Sequence, residues 1–205
     1  MQGRTYGERN VVHIAEEDRQ RAQYYRLLAH LLADIPQAET LAVVASLKGG
    51  ESRLGQATDA LAVAARDISA EQADDEFHDL FVGVGRGALV PHSSYYLTGF
   101  LNEKPLARLR QDMARFGIER SEGARDPEDH IASVCEIMAG LIEGSFGAPV
   151  ALAEQAKFFD RHVAPWAGQF FTDLENAETA SLYRRVGTVG RIFMDIETTA
   201  FEMAA

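Results

Sequence analysis

The hydrophobic positions of this chain recur at the three- and four-residue spacing of one α-helical face. The first such run predicts a helix from about Glu16, and Pro36 stops it because proline cannot continue a helix. The apolar face of that helix consists of Tyr24, Leu27, Leu28, Leu31, Leu32 and Ile35. The amino-terminal half contains no run of alternating apolar and polar residues of the kind that predicts a half-buried strand.

The same spacing predicts eight further helices, so that the whole chain has about nine. They cover approximately residues 41–47, 54–68, 74–82, 105–116, 127–142, 149–163, 166–174 and 178–196. We therefore expect an all-α fold, a helical bundle-like domain spanning residues 16–205. Residues 1–15 are polar and without period, which predicts a flexible amino terminus. The polar connector at residues 118–126 is the predicted hinge between two subdomains.

Composition places the chain among globular proteins of a reducing compartment. It has 205 residues, 46% of them hydrophobic, and its single cysteine excludes an intramolecular disulfide. The amino end lacks an apolar signal-peptide core, and no apolar run approaches the roughly 20 residues of a membrane span. We therefore expect a cytoplasmic protein without membrane insertion.

The formal charge of −11 narrows the choice of partner. Such a charge repels the phosphates of nucleic acids and accelerates the approach of a basic partner. We therefore expect no nucleic-acid binding.

The segment Pro127-Glu128-Asp129-His130 is the most informative local pattern. Asp126 is predicted to cap a helix whose first residue is Pro127, because proline is tolerated where the backbone N–H has no intrahelical partner. Glu128 and Asp129 then lie in the first turn, where the helix dipole favours negative charge. Asp129 and His130 either bind a ligand or only cap and pack the helix, and both interpretations stay open.

Other combinations of reactive residues give weaker predictions. His78-Asp79, with His30 and Asp129, is the set that a metal-dependent phosphohydrolase of the HD type would use. Cys135 lies within an apolar helix face, which is typical of an inert core cysteine. The glycines at 83, 85 and 87 lack the Lys-Ser/Thr ending of a phosphate-binding loop. No metal and no cofactor are therefore predicted.

Three segments in a fixed order give the chain a recognisable signature. They read Glu-Phe-His-Asp-Leu-Phe-Val-Gly at 76–83, Pro-His-Ser-Ser-Tyr-Tyr at 91–96 and Pro-Glu-Asp-His at 127–130. In this combination the sequence resembles the TorD/DmsD family of redox-enzyme maturation chaperones. Phe158-Phe159, His162 and Trp166 resemble the family's carboxyl-terminal pattern, and the resemblance covers about residues 24–201. Gly83-Val84-Gly85 departs from the family's usual Gly-Pro, which leaves loop shape and client choice open.

The resemblance implies a function that is not enzymatic. It implies a cytoplasmic, system-specific chaperone that binds the twin-arginine signal peptide of a molybdopterin-dependent oxidoreductase, holds the apoenzyme for cofactor insertion and proofreads it before export. It also implies a monomer or a homodimer, with domain swapping about the hinge. By motif, the signal-peptide-binding residues would be Phe77, Leu80, Phe81, Ser94, Tyr96, Asp129 and His130.

These residue types suit such a ligand, because a twin-arginine signal joins an arginine pair to an apolar segment. Phe77, Leu80 and Phe81 would accept the apolar segment, and Asp129 would pair a guanidinium. Two rival functions stay open: the HD-like phosphohydrolase, and a chaperone that grips the uncleaved amino-terminal segment of a membrane-bound reductase. The identity of the client and any binding of guanine nucleotide are also open.

Overall fold

A computed structural model of the chain describes residues 14–83, 87–120, 123 and 125–204. Within these residues the chain forms ten α-helices and one five-residue π-helical segment, and its only β-type pairing is an isolated bridge. The helices are α1 (Glu16–Ala33), α2 (Ala38–Ala45), α3 (Arg53–Asp67), α4 (Ala70–Phe77), α5 (Ser93–Thr98), α6 (Lys104–Arg115), α7 (Ile131–Glu143), α8 (Leu152–His162), α9 (Ala167–Glu175) and α10 (Leu182–Ala204). The predicted all-α fold is confirmed.

Two short elements differ from the expectation. The predicted fourth helix is in fact α4 followed directly by the π-helical segment His78–Val82. The predicted loop before Ser94 is followed by the six-residue helix α5, which the periodicity did not reveal. A helix of six residues is too short to show a repeating apolar face, so its position depends on contacts with the rest of the fold.

The described helices bury their apolar faces in one contiguous core. Helix α1 packs along α7, and α10 packs along α9 and α3. The contact between α9 and α10 is close because two glycines of α10 face it. A Cβ atom at Gly187 would lie 2.3 Å from the backbone nitrogen of Glu175, and one at Gly190 would lie 2.2 Å from the ring of Phe171.

A buried ion pair joins the first and last helices. Arg21 of α1 donates two hydrogen bonds to the carboxylate of Glu197 on α10, at 2.7 and 2.9 Å. The hydroxyl of Tyr25 donates a third at 3.0 Å, and Glu197 has no exposed surface. A buried charge is tolerated only when it is paired and hydrogen-bonded in this way. The pair therefore fixes the position of α10 against α1.

The amino terminus of α10 is capped from another helix. The carboxylate of Glu76 on α4 accepts hydrogen bonds from the backbone N–H groups of Ser181, Leu182 and Tyr183, at 2.7, 3.0 and 3.3 Å. The first N–H groups of a helix have no intrahelical acceptor, and the helix dipole favours a negative charge there. Glu76 therefore ties α4 and the adjoining π-helical segment to α10.

Some predictions fall on residues that the structure does not describe. The predicted flexible segment 1–15 lies almost wholly outside the described residues, as do parts of the 118–126 hinge and the centre of the 83–87 glycine loop. The domain boundaries and the hinge therefore stay predictions. In the part of the chain that is described, no helix has the length and apolar character needed to cross a membrane.

Candidate functional site

Two of the signature segments meet through their backbones. The N–H of Ser93 donates to the carbonyl oxygen of Asp129 at 3.0 Å, and the N–H of Ile131 donates to that of Pro91 at 2.8 Å. These bonds make His92 and His130 directly opposed residues of an antiparallel bridge. Such a pair has closely spaced side chains, and the two imidazole rings meet almost perpendicularly with centroids 5.0 Å apart.

The predicted start of the helix over residues 127–142, which is α7 in the structure, was wrong. The helix begins at Ile131 instead of Pro127, and its N-cap is His130, whose Nδ1 accepts a hydrogen bond from the N–H of Ala132 at 3.1 Å. Residues 127–130 form a turn, closed by a 3.1 Å bond from the His130 N–H to the Pro127 carbonyl. The bridge requires extended backbone at His130, so a nonlocal pairing overrides the local capping signal at Asp126.

Asp129 precedes α7 in the chain, but it caps the start of α5. Its side chain is fully buried, and its Oδ2 accepts hydrogen bonds from the backbone N–H of Ser94 at 2.8 Å and the hydroxyl of Ser93 at 3.3 Å. Both serines lie at the start of α5, where a carboxylate complements the unpaired N–H groups. Asp129 therefore holds α5 in place.

The neighbouring Glu128 has a different partner. Arg110 of α6 donates to both oxygens of the Glu128 carboxylate, with distances from 2.8 to 3.1 Å. Burial opposes ionisation of Glu128, but the hydrogen bonds and charge of Arg110 hold its pKa below the ordinary value. The two acids of the Pro-Glu-Asp-His turn thus attach it to α6 and α5 respectively.

Several buried polar atoms around this junction lack a hydrogen-bond partner among the described residues. They are Nδ1 and Nε2 of His92, Oγ of Ser94 and Oδ1 of Asp129. His92 is 7% exposed, and Ser94 and Asp129 are fully buried. Leaving a buried polar atom unpaired costs about 1–3 kcal/mol, so a cluster of them in one place is unusual. The junction is therefore the candidate functional site.

Tyr96 attaches the outer end of α5 to α9. Its hydroxyl donates to the carboxylate of Asp173 at 2.9 Å, and its ring centroid lies 5.5 Å from that of Trp166 and 6.0 Å from that of Phe170. Burial, together with the hydrogen bond to Asp173, raises the pKa of Tyr96 above its ordinary value. The phenol is therefore neutral and serves as a donor.

The three apolar residues predicted for peptide binding lie in a second cluster. Leu80 is fully buried, whereas Phe77 and Phe81 are partly exposed and pack against each other and against Tyr183. The chain then returns along the π-helical segment, because the N–H of Leu89 donates to the Leu80 carbonyl at 2.8 Å. The structure thus brings Ser94, Asp129 and His130 together, and the short stretch 87–92 connects them to the aromatic cluster.

Sequence reasoning missed four residues of this region. His92 was not selected, although its ring contacts His130 and both of its nitrogens lack a partner among the described residues. Leu97 near the end of α5, and Phe100 and Leu101 just after the helix, are 44, 68 and 43% exposed. The signal in the sequence was three large apolar residues within five positions directly after Tyr96, and the structure adds that they are exposed.

The residues of the phosphohydrolase alternative do not assemble. The exposed ring of His78 contacts Asp74, one turn earlier on α4, and His30 contacts Thr40 on α2. Asp129 lies elsewhere, beneath α5. Within the described parts of the chain, no group of three or more His, Cys, Asp or Glu side chains is placed to hold a metal ion. The geometry thus gives the metal-dependent interpretation no support.

The buried histidine pair predicts a pH dependence of stability. Burial, with the neighbouring His92, lowers the pKa of His130 to about 4, and burial also lowers that of His92. Below about pH 6.5 the unfolded chain therefore binds more protons at these two histidines than the folded protein does. Their contribution to the free energy of unfolding is complete above that pH and declines towards pH 4. We expect His130 to account for roughly 2–3 kcal/mol of this loss, measured by urea unfolding across the range.

Asparagine at this position is the matched variant. His130→Asn retains a good N-cap for α7 but cannot titrate, so its stability should change less between pH 6.5 and 4. Part of the loss should remain, because burial also lowers the pKa values of His92 and His162. A pH profile identical to that of the unsubstituted protein would show that His130 is not the titrating group.

The chain is similar in fold to a solved structure and in sequence to a known family. A crystal structure of an Archaeoglobus fulgidus protein assigned as a redox enzyme maturation protein superimposes with a TM-score of 0.60, covering 92% of this chain and 99% of that one at 17% identity. This likeness shows that the chain has the same all-helical fold as that protein. The sequence model of the nitrate reductase delta subunit family matches residues 49–172. The chain belongs to that family, and the resemblance to TorD-like proteins is confirmed.

Curated relatives carry the name TorD. The chaperone protein TorD of Vibrio cholerae is 29% identical over 136 residues, which cover 63% of this chain and 61% of that protein. The chaperone protein TorD of Vibrio atlanticus is 26% identical over 131 residues, covering 60 and 61% respectively. The chain thus spans about three fifths of the length of these relatives.

Proposed function

We propose that this protein is a non-enzymatic chaperone that binds the twin-arginine signal peptide of a molybdopterin-dependent oxidoreductase and keeps the apoenzyme ready for cofactor insertion before export. The observation that carries the proposal is the family match over residues 49–172, which contains all three signature segments. The relatives named as TorD chaperones support the same class of function. The chaperone would act in the cytoplasm, where such a signal peptide is made.

The α5 region offers the two kinds of contact that this ligand needs. Leu97, Phe100 and Leu101 present apolar surface, and their exposure is that of an interaction surface instead of a core. Asp129 lies beneath α5, and one oxygen of its carboxylate has no hydrogen-bond partner among the described residues. A guanidinium donates in a planar fork that fits a carboxylate, so an arginine next to an apolar stretch would use both.

Three of the other predicted residues act as supports in the described conformation. Leu80 lies in the core, Tyr96 anchors α5 on α9, and His130 caps α7. Phe77 and Phe81 keep partly exposed rings that are available to an apolar ligand. Direct peptide contacts of the seven residues stay a prediction.

Calorimetric titration with a twin-arginine signal peptide tests the proposal. We expect saturable binding that weakens with salt, and at least about tenfold weaker binding of a peptide in which both arginines are replaced by lysine, because lysine cannot form the bidentate pair. No saturable binding of the arginine peptide at low salt would refute the proposal. Turnover of a phosphomonoester in the presence of added divalent metal would instead favour the phosphohydrolase.

The family description favours one second candidate. The matching family is named for the delta subunit of nitrate reductase, and in line with that name the alternative ligand is the uncleaved amino-terminal segment of a membrane-bound reductase. Such a segment does not need an arginine pair. Equal affinity for the arginine and lysine peptides, with tighter binding of a reductase's amino-terminal segment, would select this alternative.

A further inference from the structure

Helix α5 and the loop after it, residues 93–103, are hydrogen-bonded to the rest of the fold through residues 93–96, and α5 also lies next to α6. We call this segment the α5 hairpin. At its start the Asp129 carboxylate accepts hydrogen bonds from Ser93 and Ser94, and in its middle Tyr96 contacts α9. Beyond Tyr96, Leu97, Phe100 and Leu101 are exposed and take no part in the core cluster. A segment with few buried apolar contacts opens at lower free energy than the core does.

The α5 hairpin lies against Asp129, the acid that is predicted to pair an arginine of the proposed ligand. Asp129 has no exposed surface, and its Oδ2 is occupied by the backbone of Ser94. A peptide therefore cannot reach this carboxylate while α5 is in place. The hairpin and an arginine side chain that pairs both carboxylate oxygens would compete for Oδ2.

With α5 in place, several buried polar atoms around Asp129 lack hydrogen-bond partners within the described residues. They are Oδ1 of Asp129, Oγ of Ser94 and both ring nitrogens of His92. A guanidinium offers five N–H donors and would satisfy both carboxylate oxygens at once. Displacement of α5 by an arginine would thus exchange an under-paired carboxylate for a fully paired one.

We propose that the α5 hairpin is a latch that conceals Asp129 and must open before a basic peptide can bind. This inference rests on the proposed function, since the ligand is the arginine of the same signal peptide. Opening precedes binding, so the observed association rate should level off at high peptide concentration. The measured affinity is then reduced by the fraction of molecules that are open.

The contact between Tyr96 and Asp173 allows the latch to be loosened without touching the predicted site residues. Asp173→Ala removes the acceptor of the Tyr96 hydroxyl and, at the surface, that of Gln169. Asp160→Ala is the control, because it removes the same charge from an exposed position of α8. Hydrogen exchange of residues 93–103 measures opening, and stopped-flow mixing with a twin-arginine peptide measures association.

We expect Asp173→Ala to speed hydrogen exchange in the α5 hairpin, to raise the plateau of the association rate and to tighten peptide binding by about tenfold. Asp160→Ala should change none of these. Faster exchange with unchanged or weaker binding would overturn the proposal, because closure of the hairpin over Asp129 would then not oppose peptide binding. Unchanged exchange would also overturn it, since the Tyr96 contact would not hold the latch.

The exchange measurement separates this proposal from the proposed function. It needs no peptide, so it reports whether residues 93–103 open independently of the core even if the signal peptide does not bind. Absence of binding to the unsubstituted protein and to Asp173→Ala alike would refute the proposed function. Opening of the hairpin only together with global unfolding would refute the latch alone.

Discussion

Replacing Glu197 by alanine is expected to destabilise the fold by about 3–5 kcal/mol, because it leaves a buried guanidinium without its main partner. The Arg21 side chain is only 18% exposed and makes a bidentate pair with Glu197. Asp18 and Gln155 still contact Arg21 in the variant, which places the loss nearer the lower value. Urea unfolding followed by circular dichroism measures it.

Two further variants show how much of the lost stability comes from the buried ion pair. Glu197→Gln preserves volume and one acceptor oxygen, so it should cost less than alanine. Glu16→Ala breaks the ion pair with Arg19, whose side chains are 52 and 62% exposed, and should cost under about 1 kcal/mol. If Glu197→Ala lost no more stability than Glu16→Ala, the ion pair would not hold α1 and α10 together.

The long helices were predictable because their signal is local. The first helix begins at Glu16 as expected, and it ends at Ala33, just before the Pro36 that was expected to stop it. The same apolar periodicity located the later helices, since each buries one continuous face in the core. The composition added only that the fold would be globular.

The site was less predictable because it depends on pairing between distant segments. Asp126-Pro127 has the residues of a helix start, yet the bridge to residues 91–93 moves the helix to Ile131 and makes His130 its cap. Asp129, expected in that helix's first turn, instead caps α5, a helix that the apolar periodicity did not predict. The motif thus assigned these residues the wrong local structure, and their contact with a peptide stays a prediction.

The choice between binding and capping for Asp129 can be made with two substitutions at one position. Asp129→Asn retains an oxygen that accepts from the Ser94 N–H, so α5 should stay capped and the melting temperature should move by only a few degrees. Asp129→Ala removes that acceptor and should also release α5. Far-UV circular dichroism and thermal melting establish both results before any peptide is added.

If the Asp129 charge pairs a guanidinium, Asp129→Asn should weaken binding of a twin-arginine peptide by at least about tenfold, because a neutral amide cannot form the charge-assisted bidentate pair. Asp126→Asn removes an exposed charge three residues away and should change the affinity less than about twofold in physiological salt. Binding by Asp129→Asn equal to that of the unsubstituted protein, with weak binding only in Asp129→Ala, would assign Asp129 a purely structural role. The contact with arginine would then have to come from another carboxylate near α5, since the charge of Asp129 would be dispensable.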